Sequence, residues 1–454
     1  MWIKGKKILI FGFGKEGVAG ANYLGYDNKI TIIDEKNKEQ IDKTFFQKLK
    51  TKNVSFYFGN NFPNCQNFDY IIRSPGVRPD HPKIKLFLGK NTVLTSATKI
   101  FFDESPAKII GITGTKGKGT TSTLIYEMIK SANKKVYLAG NIGKPMLEIL
   151  PFLDNESFAV LELSSFQLFD LEKSPHIAVV LMITSEHLDW HKDSSEYQKA
   201  KESIVKYQRE DDFAIINEDF ISSRNFAKKT KSKVYFFSTN KKTNGAYLDK
   251  GEIISKINGF EKICKIKDVL LPGHHNLQNI LAAISVAKIL KIENQHIIKV
   301  IKTFKGLRNR LQLVKKIGGV VYYNDSFSTT PETTIAAIEA FSNPKILILG
   351  GSSKKSDFSA LAGKIESDKT IKSLILIGKE GSRIKDAITK TGVFKGKIIE
   401  DSKNMQEIVD IVQLEAKSGD IVLLSPACAS FGMFKNYQDR GDQFIKAVKN
   451  LKNS

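Results

Sequence analysis

The stretch Lys108-Ile109-Ile110-Gly111-Ile112-Thr113-Gly114-Thr115-Lys116-Gly117-Lys118-Gly119-Thr120-Thr121 decides how the chain is read. A short apolar run gives way to a glycine-rich loop, and a helical pattern follows to about residue 131. Strand, loop and helix in that order build a phosphate cradle. Backbone N–H groups approach the phosphate oxygens, and the helix N-terminus adds a favourable dipole. Lys118 is then placed to reach the β- and γ-phosphates of a nucleotide. The stretch is not a strict G-x-x-x-x-G-K-[ST] loop, because Ile112 stands where the pattern has glycine and Gly119 where it has Ser or Thr. A glycine-rich turn without a ligand is the competing reading, and the flanking strand and helix favour phosphate.

Outward from this loop, short apolar runs alternate with longer helical patterns, the mark of parallel α/β units. Strands are expected at 136–138, 158–163 and 177–184, and helices at 275–290 and 294–304. Residues 213–260, rich in Lys, Asn, Ser and Gly, read as an antiparallel insert or meander. Upstream, strands at 7–11, 29–33 and 70–73 enclose a second glycine loop. Downstream, strands are expected at 320–324, 345–349, 373–377 and 420–424. The expected fold class is α/β with three domains. They are a Rossmann-like N-terminal domain (1–97), a P-loop-NTPase-like central domain with a mixed sheet (98–306) and a Rossmann-like C-terminal domain (307–454). At roughly 100–200 residues per domain, 454 residues accommodate this division.

Composition narrows the class. With 41% hydrophobic and 26% charged residues the chain is neither disordered nor collagen-like nor a coiled coil. Three cysteines, Cys65, Cys264 and Cys428, form neither a disulfide framework nor a zinc pattern, which suits a reducing compartment. The N-terminus lacks the apolar core of a signal peptide, and no run approaches the roughly 20 apolar residues of a membrane span. A cytoplasmic protein is expected. The net charge of +22 raises nucleic acid or a membrane surface as a partner.

Further motifs carry chemistry. Gly12-Phe13-Gly14-Lys15-Glu16-Gly17 follows a strand, and Asp34 lies about 20 residues on, which is the dinucleotide fingerprint. A nicotinamide or flavin site and a different nucleotide loop stay equally open on these residues. Glu162 ends an apolar run, and His187 and Asp189 follow another. Ligands bind beyond the carboxyl ends of strands in open α/β sheets. A Mg²⁺ beside nucleotide phosphates takes hard oxygen ligands, and Glu162 is the natural candidate. Asn276 and Asn279 lie one helical turn apart and either read a base edge or merely cap and solvate. Eight Arg stand against 62 Lys, so Arg308 and Arg310 flanking Asn309 suggest a task for a planar fork, such as phosphate. Ser425-Pro426-Ala427-Cys428-Ala429-Ser430 after a strand suits a tight substrate-binding turn or a structural loop.

Taken together, these motifs resemble the Mur ligases, cell-wall enzymes that join an amino acid to a UDP-muramoyl precursor with ATP. The resemblance rests on Gly114-Thr115-Lys116-Gly117-Lys118 with its Thr pair, Glu162-Leu163-Ser164-Ser165-Phe166-Gln167 and Ser425–Ser430. It extends to Ser74-Pro75-Gly76, Gly140-Asn141-Ile142-Gly143, His187-Leu188-Asp189, Asn324-Asp325-Ser326 and Arg440-Gly441-Asp442, in family order along the chain. Within the family the pattern is similar to the members that add D-glutamate.

The resemblance implies the substrates UDP-N-acetylmuramoyl-L-alanine and D-glutamate, with an acyl-phosphate intermediate. It assigns the first glycine loop to a UDP-sugar diphosphate rather than to NAD. The implied UDP-substrate residues are Gly14, Lys15, Asp34, Glu35, Ser74, Pro75, Gly76, Asn141, Ser164 and Gln167. The implied ATP residues are Gly114, Thr115, Lys116, Gly117, Lys118, Gly119, Thr120, Thr121, Asn276, Asn279, Arg310 and Asp325. Two Mg²⁺ sites would use Thr120, Glu162, His187 and a carbamylated Lys201. Lys118, His187, Lys201 and Arg310 would carry catalysis, and Thr329, Lys354, Ser430, Phe431 and Tyr437 would hold glutamate. A monomer without nucleic-acid partner or membrane span is expected.

The chain departs from the family pattern at Gly119, where Ser or Thr is usual, leaving the hydroxyl role to Thr120 or another loop. It departs again at Asn309, where His often precedes Arg310, at Phe327, where Lys follows Asp-Ser, and at Glu186, where Asp precedes His187. The alternatives are a folylpolyglutamate-synthase-type ligase, favoured by Gly117-Lys118-Gly119, and a nucleotide-binding regulator or nucleic-acid-binding NTPase, favoured by the charge. That charge is almost all lysine among abundant Ile, Asn and Phe, as an A/T-rich coding bias produces, so it weighs little.

Overall fold

The computed structural model describes residues 3–63, 67–187, 189–353, 356–400, 402 and 404–452. Cys65 and Lys354 lie outside the described residues. The chain divides into two compact units, one of residues 1–267 with 278–300 and one of residues 268–277 with 301–454.

The first unit contains two parallel sheets. Strands Val54–Phe58, Lys29–Asp34, Lys7–Phe11, Tyr70–Arg73 and Val93–Ser96 lie side by side in that spatial order. All four pairings are parallel. The second sheet runs Lys233–Phe237, Phe213–Asn217, Ile177–Val180, Lys108–Thr113, Phe158–Glu162 and Val136–Gly140, again all parallel. Parallel strands covered on both faces read as unbroken apolar runs. Phe158–Glu162, with four of its five residues buried, is such a run. A separate antiparallel sheet of Ala246–Asp249, Glu252–Ser255 and Glu261–Lys265 lies beside them in sequence. The expected meander therefore begins at Ala246 and not at 213. Phe213–Asn217 is buried over its last four residues and joins the parallel sheet, which its charged flanks, Arg209–Asp212 and Glu218-Asp219, concealed.

One hydrophobic cluster joins the two large sheets into a single body. It runs from Ile10 and Val18 through Phe101, Leu147 and Leu161 to Val180 and Ile204. At about 25 cal/mol per Å² of apolar surface removed from water, a continuous cluster of this kind is what makes the two sheets one folding unit.

The second unit carries a six-stranded sheet in the order Gln312–Ile317, Val320–Asn324, Ile421–Leu424, Lys345–Gly350, Ile371–Ile377 and Lys397–Ile399. The first pair is antiparallel and the rest are parallel. Separate clusters cover its two faces, one around Leu347, Leu361 and Leu374 and one around Ile346, Ile408 and Phe444. No helix among the described residues is long and apolar enough to cross a membrane.

Candidate active site

The central phosphate loop is built as its residues dictate. Strand Lys108–Thr113 ends at Gly114, and helix Lys118–Ser131 begins after Gly117. Gly117 caps the helix in the left-handed region, with φ 87°, and an added Cβ would lie 2.3 Å from Asn279 Oδ1. Glycine is needed there on both counts. Gly111 has a different reason: its Cβ would meet Pro175 at 2.8 Å, so it is a packing glycine within the strand.

The side chains of the loop are already engaged. Lys118 Nζ donates to the carbonyls of Gly114 at 2.9 Å and Thr115 at 3.0 Å, folding the ammonium back over the cradle. Thr115 Oγ1 lies 3.1 Å from Tyr197 Oη and accepts from the Thr184 amide at 2.8 Å, tying the loop to two neighbouring segments. Lys116 is paired with Glu186. Thr120 and Thr121 are buried in the first helical turn, and Thr121 Oγ1 donates to Asn279 Oδ1 at 3.2 Å. Asn276 and Asn279 are both buried on helix His274–Ile289. Asn276 belongs to the second unit and Asn279 to the first.

Acid and base groups converge on the same loop. Glu162, buried at the end of its strand, accepts from Asn141 Nδ2 at 2.9 Å. Lys201, 1% exposed on helix Ser194–Lys206, donates to Thr113 Oγ1 and to the Gly114 carbonyl, each at 3.2 Å. Burial, and next the charge of Lys118, hold its amine well below the usual lysine range despite Glu186 and Glu162 nearby. His187 adopts φ 59°, packs on Phe166 with ring centroids 4.9 Å apart, and has Nε2 3.8 Å from Glu186. Among the described residues no cluster of three or more His, Cys, Asp or Glu forms a ready-made metal cage.

The N-terminal glycine loop is held from within. Asp34 Oδ2 accepts from the Phe13 amide at 2.8 Å, and Ser74 Oγ donates to the Gly12 carbonyl at 3.0 Å. Gly14 precedes helix Lys15–Leu24, and Lys15 is exposed. Glu35, half exposed, pairs with Lys83 at 2.9 Å. Ser164 caps the turn Ser165–Leu168 through a reciprocal capping box with Gln167. Gln167 Nε2 also donates to Glu16 Oε1 at 2.7 Å. The Gly76 carbonyl accepts from Trp190 Nε1 at 2.8 Å, and the Pro75 carbonyl faces Arg73. The first glycine loop and the Ser164–Gln167 segment are thus neighbours within one unit.

Sequence reasoning passed over Glu16. Its Oε2 is buried without a hydrogen-bond partner, and burial pushes the carboxyl up to about 7 against Gln167 and Arg73. The available signal was an acid inside a glycine loop meant for an anion.

In the second unit, Asp325 is buried after strand Val320–Asn324. It accepts from Ser425 Oγ at 2.8 Å and from the Leu311 amide at 3.0 Å. Burial raises its carboxyl to about 6, against hydrogen bonds from Ser328, Ser425 and Leu311. Arg310 lies over the Phe327 ring, its guanidinium carbon 3.9 Å from the centroid, and Tyr437 meets that ring edge-on at 5.0 Å. Arg440, fully buried, donates to Ser326 and to the carbonyls of Cys428 and Ala429. It thereby joins the Asp325 loop to the Ser425–Ser430 turn. Ser430 is buried, Phe431 is 65% exposed and Thr329 is half-buried.

Comparison with known proteins finds matches along the chain. Residues 112–287 match the model of the Mur ligase middle domain, and residues 309–428 that of the Mur ligase glutamate ligase domain. The UDP-N-acetylmuramoylalanine–D-glutamate ligase of Clostridium tetani is 36% identical over 99% of this chain and 98% of its own. The like-named protein of a Thermoanaerobacter strain is 38% identical over the whole of both chains. Among solved structures, the UDP-N-acetylmuramate–alanine ligase of Thermotoga maritima superposes with a TM-score of 0.59 at 15% identity, covering 98% of this chain and 100% of that one. The MurF ligase of Thermotoga maritima in complex with ADP gives 0.57 at 17% identity, over 92% and 95%. At such identities the two structures speak to the fold alone.

Proposed function

The chain belongs to the Mur ligase family, and from that premise we propose that it adds D-glutamate to UDP-N-acetylmuramoyl-L-alanine at the cost of ATP, in peptidoglycan precursor synthesis. The observation that carries this reading is the end-to-end match with relatives of one named activity. In the reaction the L-alanine carboxylate attacks the γ-phosphorus and ADP leaves. The D-glutamate amine then attacks the acyl-phosphate carbonyl, expelling phosphate and losing a proton. A carboxylate approaching a triphosphate is repelled, so catalysis consists largely of positioning and charge compensation.

The residues divide that work. Gly114–Thr121 cradle the phosphates, and Lys118 exchanges its two loop carbonyls for β- and γ-oxygens. Asn276 and Asn279 read adenine. Arg310 and Asp325 serve γ-phosphate and ribose. The first glycine loop, Asp34, Glu35 and Ser74–Gly76 hold UDP, and Asn141, Ser164 and Gln167 hold the muramoyl end. Thr329, Ser430, Phe431 and Tyr437 receive glutamate, as would Lys354. The three parts are residues 1–97, 98–306 and 307–454.

The donor set fits Mg²⁺, which takes hard oxygens and completes its shell with water and phosphate. Glu162 and Thr120 would hold one such ion, His187 and a carbamylated Lys201 would hold a second, and when bound they would neutralise charge between carboxylate and triphosphate. A cationic Lys201 would oppose that second ion. The depressed amine removes the conflict, because a neutral amine adds CO₂ at its lone pair and releases a proton to water, leaving an anionic carbamate. A cytoplasmic location goes with this reading, since ATP and the UDP-sugar are both consumed, and the chain is proposed to act as a monomer.

The test is phosphate release by purified protein with ATP, Mg²⁺, UDP-N-acetylmuramoyl-L-alanine and either glutamate enantiomer. Release should require both acceptors and prefer D-glutamate. Release independent of them would overturn the proposal.

A further inference from the structure

Two of the family departures meet at one residue. Arg310 is flanked by Asn309 with φ 64° and Leu311 with φ 39°, both in the left-handed region. Non-glycine residues in this region cost conformational energy, most of all one such as Leu311, and persist only when their surroundings fix them. The fixing contacts are on both sides. The Asn309 carbonyl accepts from the Phe327 amide at 2.9 Å, and its Oδ1 accepts from Asn324 Nδ2 at 2.8 Å. The Leu311 amide donates to Asp325 at 3.0 Å. The backbone is thus fixed on both sides of Arg310, and its side chain lies over the Phe327 ring at 3.9 Å.

The ring is held in turn. Tyr437 packs against it at an interplanar angle of 86°, and Ser326 Oγ donates to the Tyr437 carbonyl at 2.8 Å. Phe327 itself is 39% exposed, so burial of its own surface does not account for an aromatic residue there. A guanidinium over an aromatic face gains electrostatic attraction and loses rotamer freedom before any anion arrives. A lysine at 327 would instead place a like charge against Arg310.

We propose that Phe327, held by the Asn309 carbonyl and the Tyr437 ring, is a positioning residue that pre-orients Arg310 for the phosphoryl group being transferred. The chain has exchanged a second cation for a platform under the first. This rests on the reading of Arg310 as the γ-phosphate residue.

The experiment is steady-state kinetics on the full chain with all three substrates. Phe327→Leu should lower kcat roughly tenfold, as misplacement of a catalytic group does, while the KM for ATP moves less. Phe327→Trp should recover most of that loss. Phe327→Lys, although it restores the family cation, should be no better than Phe327→Leu. In an Arg310→Ala background Phe327→Leu should cost nothing further, since it acts through the missing guanidinium. Added guanidinium should rescue Arg310→Ala, and rescue should weaken in Arg310→Ala/Phe327→Leu. Melting temperatures close to that of the parent separate these effects from misfolding, and the rescue comparison stays readable if Phe327→Leu is less stable. A Phe327→Lys protein as active as the parent, or full additivity with Arg310→Ala, would overturn the proposal. An inactive parent chain would instead sink the ligase reading, and a fully active Arg310→Ala would sink the role of Arg310 and the proposal with it.

Discussion

A buried lysine amine beside a phosphate cradle can stop being a cation by losing its proton or by taking up CO₂. Lys201 is buried against Thr113 and Gly114, and its amine is held well below the ordinary range. If its carbamate is the working form, Lys201→Ala should lose activity by on the order of 100-fold, the upper range for groups that tune a metal site. Short carboxylates should restore part of it, and assays with and without acetate decide the point. Near-normal activity without rescue would exclude that role. Glu16 offers a second titration, away from the ATP loop. Its carboxyl sits at about 7 in the fold, against an ordinary 4.5, because it is buried with one oxygen unpartnered. A carboxyl raised in the fold binds more protons folded than unfolded, so its stabilisation is complete below about 4.5 and is lost as pH rises through about 7. Glu16→Gln should remove that slope. At about 1.4 kcal/mol per pH unit, the variant should gain about 3 kcal/mol on the parent between pH 4.5 and 8. Unfolding by urea across this range measures it, and parallel pH profiles would show that the carboxyl is not buried in solution.

At the scale of elements, the phosphate loop is a turn that only glycine can make at residue 117. Gly117→Ala must hold a β-carbon at φ 87°, which costs roughly 1–2 kcal/mol, and must displace the Asn279 amide. ATP affinity should fall at least tenfold by calorimetry, with the melting temperature lowered by a few degrees, as expected of about 1 kcal/mol. Unchanged affinity would mean that the loop does not cradle phosphate. This loop also marks what was legible in advance. Short apolar runs announced Lys7–Phe11, Lys108–Thr113, Phe158–Glu162 and Ile421–Leu424, because fully buried parallel strands must be continuous in apolar side chains. The run 213–217 carried the same signal, but its polar flanks argued for a meander. In the site, glycines and acids at strand ends were legible because chain order places them. The engagement of Lys118 with its own loop, the orphaned oxygen of Glu16 and the stacking of Arg310 on Phe327 were not. Each depends on side chains far apart in sequence or on a rotamer, and spacing encodes neither.

At the scale of the molecule, the two parallel sheets of the first unit are joined by a buried ion pair as well as by apolar packing. Arg73, fully buried at the end of strand Tyr70–Arg73, pairs with Asp170, and its guanidinium also donates to the carbonyls of Phe166 and Val77. Lys99 supports Asp170 at 3.1 Å. Arg78 bridges to Glu196 and to the Trp190 carbonyl, and Trp190 reaches back to Gly76. Removing one member of a buried pair strands the other, at a cost of about 3–5 kcal/mol. Asp170→Asn should therefore destabilise by about 3 kcal/mol, since Arg73 keeps its carbonyl partners. Trp190 lies at this joint, so its fluorescence during urea unfolding should report a lower midpoint for Asp170→Asn than for the parent. Burial alone would raise the Asp170 carboxyl, but the hydrogen bonds and charges of Arg73 and Lys99 outweigh it and leave it below the ordinary 3.8. A depressed carboxyl stabilises above its unfolded value and loses that contribution as pH falls. The gap between parent and Asp170→Asn should hold from pH 7 to about 4 and shrink below 3.8. A single unfolding step with an unchanged midpoint would show that the apolar cluster alone carries the joint. It would also show that the two sheets need no ion pair to hold the Gly12–Gly17 loop and the Gly114–Lys118 loop in one unit.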